Sequence, residues 1–268
     1  MPRNTLDYFI VDAFTNRPFT GNPAAVVPLH CWPTDDRWLQ NVAMEMNLSE
    51  TAFIVPNGHA FDLRWFTPRV EVDLCGHATL ASAFTIYQLG LNGQNTELEF
   101  STRSGILHAT RNDDQIQMDF PIKPRKPVAA PEHLLEALAI TPTYIGKSEY
   151  DYLLEVETED ELRSLEPDFT QLAQVDCRGI IVTSKSNDPA YDFMSRFFGP
   201  AVGVDEDPVT GSAHCCLANH WQERSGKDKF TAYQASQRGG IVHLQIHEDR
   251  VMLSGQAITV AQGELLID

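Results

Sequence analysis

Short runs rich in β-branched and aromatic residues, bounded by Gly, Pro, Asn and Asp, recur along the whole chain. In the first half they are YFIVDAF, AAVVPL, TAFIVP, FDLRWF, LEFSTRSGILHAT and QIQMDF. After Pro121 come YLLEV, GIIVTSK, YDFMSRFF, KFTAYQAS, IVHLQIH and VMLSGQAITV. Each predicts a β-strand. Many gaps between them are too short for a crossover helix, so the pairing is expected to be mostly antiparallel. Asn112-Asp113-Asp114, between LHAT and QIQMDF, predicts a hairpin turn.

Helical periodicity is rarer. Trp38, Leu39, Val42 and Met46 recur at spacings of three and four behind a cap at Thr34 or Asp35, which predicts one amphipathic helix. Pro131–Ile140, with Pro in its first turn, and Glu159–Leu165 are two further candidates. Two other segments are patterned alike. Gly76 is followed by HATLASAFTIYQLG and Gly211 by SAHCCLANHWQERSG, both rich in small residues and both closing on a Gly, Gly90 and Gly226, suited to a left-handed cap.

The two openings lie 211 − 76 = 135 residues apart in a chain of 268, which points to two pseudo-repeated halves. Ala78, Ala81, Ser82 and Ala83 in one helix, and Ser212, Ala213 and Ala218 in the other, permit close packing inside a surrounding sheet. Both helices are therefore expected to be central. The loops before them, PRVEVDLCGH and GVDEDPVTGS, bring polar side chains and backbone N–H groups to a helix N-terminus. If the halves face each other, these loops meet across a cleft. The bland alternative is two ordinary core helices that are alike by chance.

Charge narrows the list of partners. With 20 Lys+Arg against 37 Asp+Glu the net charge is −17, the wrong sign for a duplex or an anionic membrane. A small anion is still allowed, because helix N-termini reverse the sign locally. Asp7 and Asp12 interrupt any signal-peptide core, and no apolar run reaches bilayer length. Five sparse cysteines, Cys31, Cys75, Cys177, Cys215 and Cys216, make no disulfide framework. A cytoplasmic chain with reduced thiols is the expectation.

Several residues could carry chemistry. Glu45, between Met44 and Met46, could sit in an apolar pocket that raises its pKa and suits it to proton transfer, or could be a solvated acid on a last helical turn. His77 opens a central helix, where the dipole disfavours the charged ring; a neutral imidazole there serves as acid/base partner, or merely as a cap. Asp205, Glu206 and Asp207 crowd ahead of the second helix, and at least one is a candidate carboxylate, while Thr210 or Ser212 could be an N-cap. Cys75 precedes a helix N-terminus that should lower its pKa; Cys215 and Cys216 read as buried small hydrophobes. The second loop has no cysteine, which disfavours a two-thiol mechanism. His243 and His247 lack partners at metal-site spacing, so no metal is expected. No dinucleotide, P-loop or nucleophile-elbow motif occurs.

Taken together, VDAFTNRPFTGNPAAVV (11–27), Glu45 with MNLSETAFIV (46–55), RWFTPRVEVDLCGHATLASA (64–83), EDPVTGSAHC (206–215) and ASQRGG (235–240) resemble the PhzF family, the phenazine-biosynthesis-like isomerases related to diaminopimelate epimerase. The resemblance implies an α+β fold of two similar domains, each a β-barrel-like sheet wrapped around a central α-helix. It implies residues 1–118 plus 257–268 in one domain, 119–256 in the other, an active site in the cleft between them, and a homodimer. It makes Glu45 the acid/base, matches His77 and Asp207 to supporting site residues, and assigns substrate binding to Gly76, Gly211, Ser212 and, less directly, Asn22. No cofactor and no metal is implied. The family's phenazine enzyme carries Pro after the loop histidine, where this chain has Ala78, so phenazine synthesis is not implied.

The leading expectation is a cofactor-independent isomerase or epimerase that moves a proton on a small carboxylate-bearing substrate, in a biosynthetic process. Negative charge built on that carboxylate would be stabilised by the helix N-termini. The alternatives are a racemase dependent on Cys75 and a non-catalytic protein that binds small carboxylates on the same fold.

Overall fold

The computed structural model describes residues 5–266. In chain order the elements are β1 (Thr5–Ala13), β2 (Asn22–Pro28), α1 (Arg37–Met46), β3 (Glu50–Asn57), β4 (Ala60–Phe66), β5 (Glu71–Val72), α2 (Gly76–Leu89), β6 (Glu97–Thr102), β7 (Gly105–Asn112) and β8 (Gln115–Pro121). They continue with β9 (Lys126–Pro127), α3 (Leu134–Leu138), β10 (Tyr144–Lys147), β11 (Asp151–Glu155), α4 (Glu159–Arg163), α5 (Phe169–Leu172), β12 (Gly179–Lys185) and β13 (Phe193–Phe198). The last are α6 (Gly211–Ser225), β14 (Lys229–Gln234), β15 (Gly240–His247), β16 (Arg250–Gly255) and β17 (Ala257–Leu266). The chain divides into two compact units, the first running to Asp119 and resuming at Ser254, the second spanning Phe120–Leu253.

In the first unit β1 pairs antiparallel with β2 and with the last strand, β17. Beyond β2 the pairing is not uniformly antiparallel. β2 and β3 are parallel, as are β4 and β6, while β3–β4, β6–β7 and β7–β8 are antiparallel. The second unit repeats this alternation: β11–β12 and β13–β14 are parallel, and β12–β13 and β14–β15 antiparallel. The parallel pairs correct the antiparallel expectation. Each is bridged by a segment holding a helix (α1, α2, α4 with α5, or α6), long enough to return the chain in the same direction.

That alternation places α2 and α6 in equivalent crossovers, and each is buried on most of its circumference: ten of the 14 residues in α2 and nine of the 15 in α6. A helix buried on all sides needs small residues and satisfied hydroxyls. In α2 the hydroxyls of Thr79, Ser82 and Thr85 donate to the carbonyls of Cys75, Ala78 and Ala81, each four residues back, at 2.6, 2.7 and 2.9 Å. Both helices end where expected, on Gly90 at φ 68° and Gly226 at φ 71°.

α1 lies on the outside of its unit, burying Leu39, Val42 and Ala43 against Val27, Phe53, Val55 and Phe66. The two weaker helical candidates shrink to five residues each, as α3 and α4. The turn at Asp113-Asp114 joins β7 to β8, with Asp113 at φ 55°. No helix among the described residues is long and apolar enough to cross a membrane.

Candidate active site

The densest group of chemistry-bearing side chains in the first unit forms where β2, β3 and α2 begin. Asn22 opens β2, Glu50 opens β3, and Ala24 sits opposite Glu50 across the parallel pair. Cys75, in extended conformation, is the residue before α2, and His77 lies in the first turn. Three segments far apart in sequence thus converge on one imidazole.

His77 is 5% exposed. Its Nε2 lies 3.1 Å from Glu50 Oε2, an ion-pair contact in which the glutamate side chain keeps 18% of its surface. Its Nδ1 lies 3.1 Å from the side-chain amide of the fully buried Asn22. That amide can present an N–H or a carbonyl oxygen, so it can serve either protonation state of the ring. The Ser49 hydroxyl stands 3.5 Å from Nε2 and donates to Asn22 Oδ1 at 3.4 Å. Cys75 Sγ is 3.6 Å from Nδ1, and ligand atoms of Glu50, Cys75 and His77 all lie within 4.8 Å of one another.

Burial penalises charge on every member of this group, and the pairing overrides it for two of them. Burial works to raise the Glu50 pKa, but His77, Ser49 and Cys75 together bring it below the ordinary carboxylate value. Burial works to lower the His77 pKa, but Cys75 and Glu50 against its nitrogens carry it well above 6.5. The resting pair is imidazolium and carboxylate, not the neutral ring expected from the helix dipole alone, because a carboxylate in contact outweighs a partial dipole. Cys75 is pushed up by burial and by the Glu50 charge, not down; these outweigh the helix N-terminus, and the thiol stays neutral.

The structure does not bring Glu45 into this group. It is exposed on the last turn of α1, beside a Met44 that is 56% exposed, so the apolar pocket expected around it is not there. α1 stops at Asn47, whose φ is 49°, and the chain then enters β3 with Glu50 turned toward α2. The carboxylate that contacts His77 is that of Glu50, five residues further on. The helix periodicity carried the signal: Leu39, Val42, Ala43 and Met46 form the inward stripe, and residues 44 and 45 lie off it.

In the second unit Asp207 is partly buried and accepts a hydrogen bond from the Thr210 hydroxyl. Gln234 ties the same loop, its Nε2 donating to Asp207 O at 2.7 Å and its Oε1 accepting from Thr210 N at 2.8 Å. Thr210 occupies the N-cap position of α6 without a side-chain cap bond, because its hydroxyl serves Asp207. Gly211 and Ser212 begin α6, whose first N–H groups have no intrahelical acceptor. Glu206 belongs to a different contact, pairing with Arg196 at 2.7 and 2.9 Å. Cys215 and Cys216 are buried, with thiols pushed up to about 12.

The fold is that of the diaminopimelate epimerase-like proteins, with Glu50, Cys75 and His77 gathered at the start of a central helix, and the class, by family, is isomerase. The chain belongs to the phenazine biosynthesis-like (PhzC-PhzF) family, whose model matches residues 11–263. It is 53% identical over 266 residues to an uncharacterized isomerase of Halalkalibacterium halodurans, covering 98% of this chain and 99% of that one. To an uncharacterized isomerase of Pseudomonas aeruginosa it is 49% identical over 260 residues, covering 97% and 98%. A crystal structure of a PhzF family protein from Enterococcus faecalis superposes with a TM-score of 0.94 at 38% identity, covering 98% of this chain and all of that one.

Proposed function

We propose that this isomerase moves a proton between carbon positions on one face of a small carboxylate-bearing substrate, without a cofactor, and that Glu50 rather than Glu45 is the acid/base. The observation that carries the reading is the Glu50–His77 contact at 3.1 Å. Glu50 enters the reaction ionised, and accepting a carbon-bound proton gives a neutral acid that returns it one step later. The His77 imidazolium keeps Glu50 ionised at rest and offsets charge in the transition state. The first-turn N–H groups at Gly76 and His77 face no intrahelical acceptor and suit the substrate carboxylate, where negative charge grows as the proton leaves. Gly211, Ser212 and Asp207 are proposed to bind and orient substrate likewise.

Single-face transfer is favoured by the packing of the group itself. Glu50 and Cys75 both contact His77, and the three candidate ligand atoms lie within 4.8 Å of one another. Two bases that share one imidazole cannot flank a carbon from opposite faces. A racemase using Cys75 as its second base is therefore the weaker reading, and the raised thiol pKa weakens it further. The family resemblance favours a homodimer, and the sparse cysteines favour a cytoplasmic location, testable by sedimentation and by fractionation.

The test is hydrogen exchange at carbon. Candidate small cyclic or amino-acid-like carboxylates are incubated with the protein in D₂O and followed by NMR. Wild type and Glu45→Gln should incorporate deuterium, whereas Glu50→Gln should lose at least about a hundredfold, the usual scale for a general acid/base. A Glu50→Gln variant as fast as wild type would remove Glu50 from the mechanism.

A further inference from the structure

We propose that Glu50, Cys75 and His77 form a three-ligand site for Zn²⁺. They offer a carboxylate oxygen, a thiolate sulfur and an imidazole nitrogen, a mixed donor set that suits a borderline-soft divalent ion and not Mg²⁺ or Ca²⁺. With Zn–S near 2.3 Å and Zn–N or Zn–O near 2.0–2.1 Å, tetrahedral ligands stand about 3.3–3.6 Å apart. Here Cys75 Sγ to His77 Nε2 is 4.0 Å and His77 Nε2 to Glu50 Oε2 is 3.1 Å. Each of these two separations needs a shift of only about 0.2–0.4 Å to meet that range, and the third, between Cys75 and Glu50, is within 4.8 Å.

Two further observations point to a ligand. Glu50 Oε2 is buried without a well-aligned hydrogen bond, although His77 is in ion-pair contact with it. On the other side of the ring, the Asn22 amide at 3.1 Å from Nδ1 can turn its carbonyl oxygen to accept Nδ1–H, the outer contact that fixes a metal-bound histidine through Nε2. Coordination expels the thiol proton and one imidazolium proton to solvent and leaves a fourth position open. Zn²⁺ there occupies Glu50 and its partner His77 and should inhibit turnover; that consequence alone rests on the function proposed above, while binding does not.

Binding is tested on the full chain, freed of metal by chelation, with Co²⁺ as a spectroscopic probe and Zn²⁺ as competitor. One equivalent of Co²⁺ should give visible d–d bands and a thiolate-to-metal charge-transfer band, both abolished by one equivalent of Zn²⁺. The charge-transfer band should vanish in Cys75→Ser and persist in Cys31→Ser. Zn²⁺ affinity should fall at least tenfold in His77→Asn and in Glu50→Gln, and stay unchanged in Glu45→Gln. Circular dichroism of each variant, and the retained d–d bands of Cys75→Ser at higher Co²⁺, separate a lost ligand from a lost fold. No thiolate band at one equivalent, or a band that survives Cys75→Ser, overturns the site. Deuterium exchange by metal-free protein is read separately, so failure of the metal site and failure of the proton-transfer reading are distinguishable.

Discussion

Replacing Glu50 by Gln should discharge His77, and the molecule contains its own reference for how far. His214 is as buried as His77 but faces only the Thr210 carbonyl at 2.8 Å, and burial takes its pKa down to about 4. His77, with Glu50 and Cys75 beside it, is carried well above 6.5. Both rings are buried, so the opposite directions of their shifts come from their partners: Cys75 and Glu50 in contact with His77, against a backbone carbonyl at His214. Glutamine keeps the shape and removes the charge, so the His77 pKa should fall toward the low value of the buried His214, followed by NMR of its ring resonances across pH.

The stability consequence has a defined window. The raised His77 pKa contributes stability that is full below the unfolded value near 6.5 and is lost as pH rises through the folded value. The depressed Glu50 pKa contributes stability present above the unfolded value near 4.5 and lost as pH falls through the folded value. Between them, near pH 5–6, Glu50→Gln should cost about 2–3 kcal/mol, a fall in Tm of about 4–12 °C for a chain of this size, and the deficit should shrink at alkaline pH. A His77 pKa unmoved by Glu50→Gln, or a deficit independent of pH, would refute the assigned coupling.

Three other outcomes follow from the same geometry. Gly21→Ala should destabilise by about 2 kcal/mol or more in urea unfolding, because φ is 69° and the new Cβ would sit 2.2 Å from the Ala13 carbonyl oxygen, next to Asn22. Iodoacetamide on native protein should label the exposed Cys31 and spare Cys75, Cys215 and Cys216 until unfolding, read by mass spectrometry. Thr158→Ala should cost about 1 kcal/mol in the same unfolding assay, since the Thr158 hydroxyl accepts Glu161 N–H at 3.1 Å as the cap of α4.

Local signals sufficed for the longer elements and for the repeat. Gly76 and Gly211 at helix starts, and Gly90 and Gly226 at their ends, are dictated by backbone geometry over a few residues, and so they could be read directly. Strand direction was less legible, since β2 and β3 become parallel only because α1 carries the chain back. The choice of Glu50 as the proposed proton carrier depended on a contact 27 residues away in sequence, between Glu50 and His77, and its local cues competed with the methionines beside Glu45. Electrostatics was least legible. The helix dipole was visible in sequence and argued for a neutral His77 and an acidic Cys75, but burial and one carboxylate in contact reverse both.

The most direct test of the central claim is deuterium incorporation into a turned-over carboxylate substrate by wild type, Glu45→Gln and Glu50→Gln side by side, with His77→Asn as a fourth arm. Exchange near the wild-type rate is expected for Glu45→Gln, and loss of at least about a hundredfold for Glu50→Gln. Exchange lost in Glu45→Gln and retained in Glu50→Gln would contradict the claim.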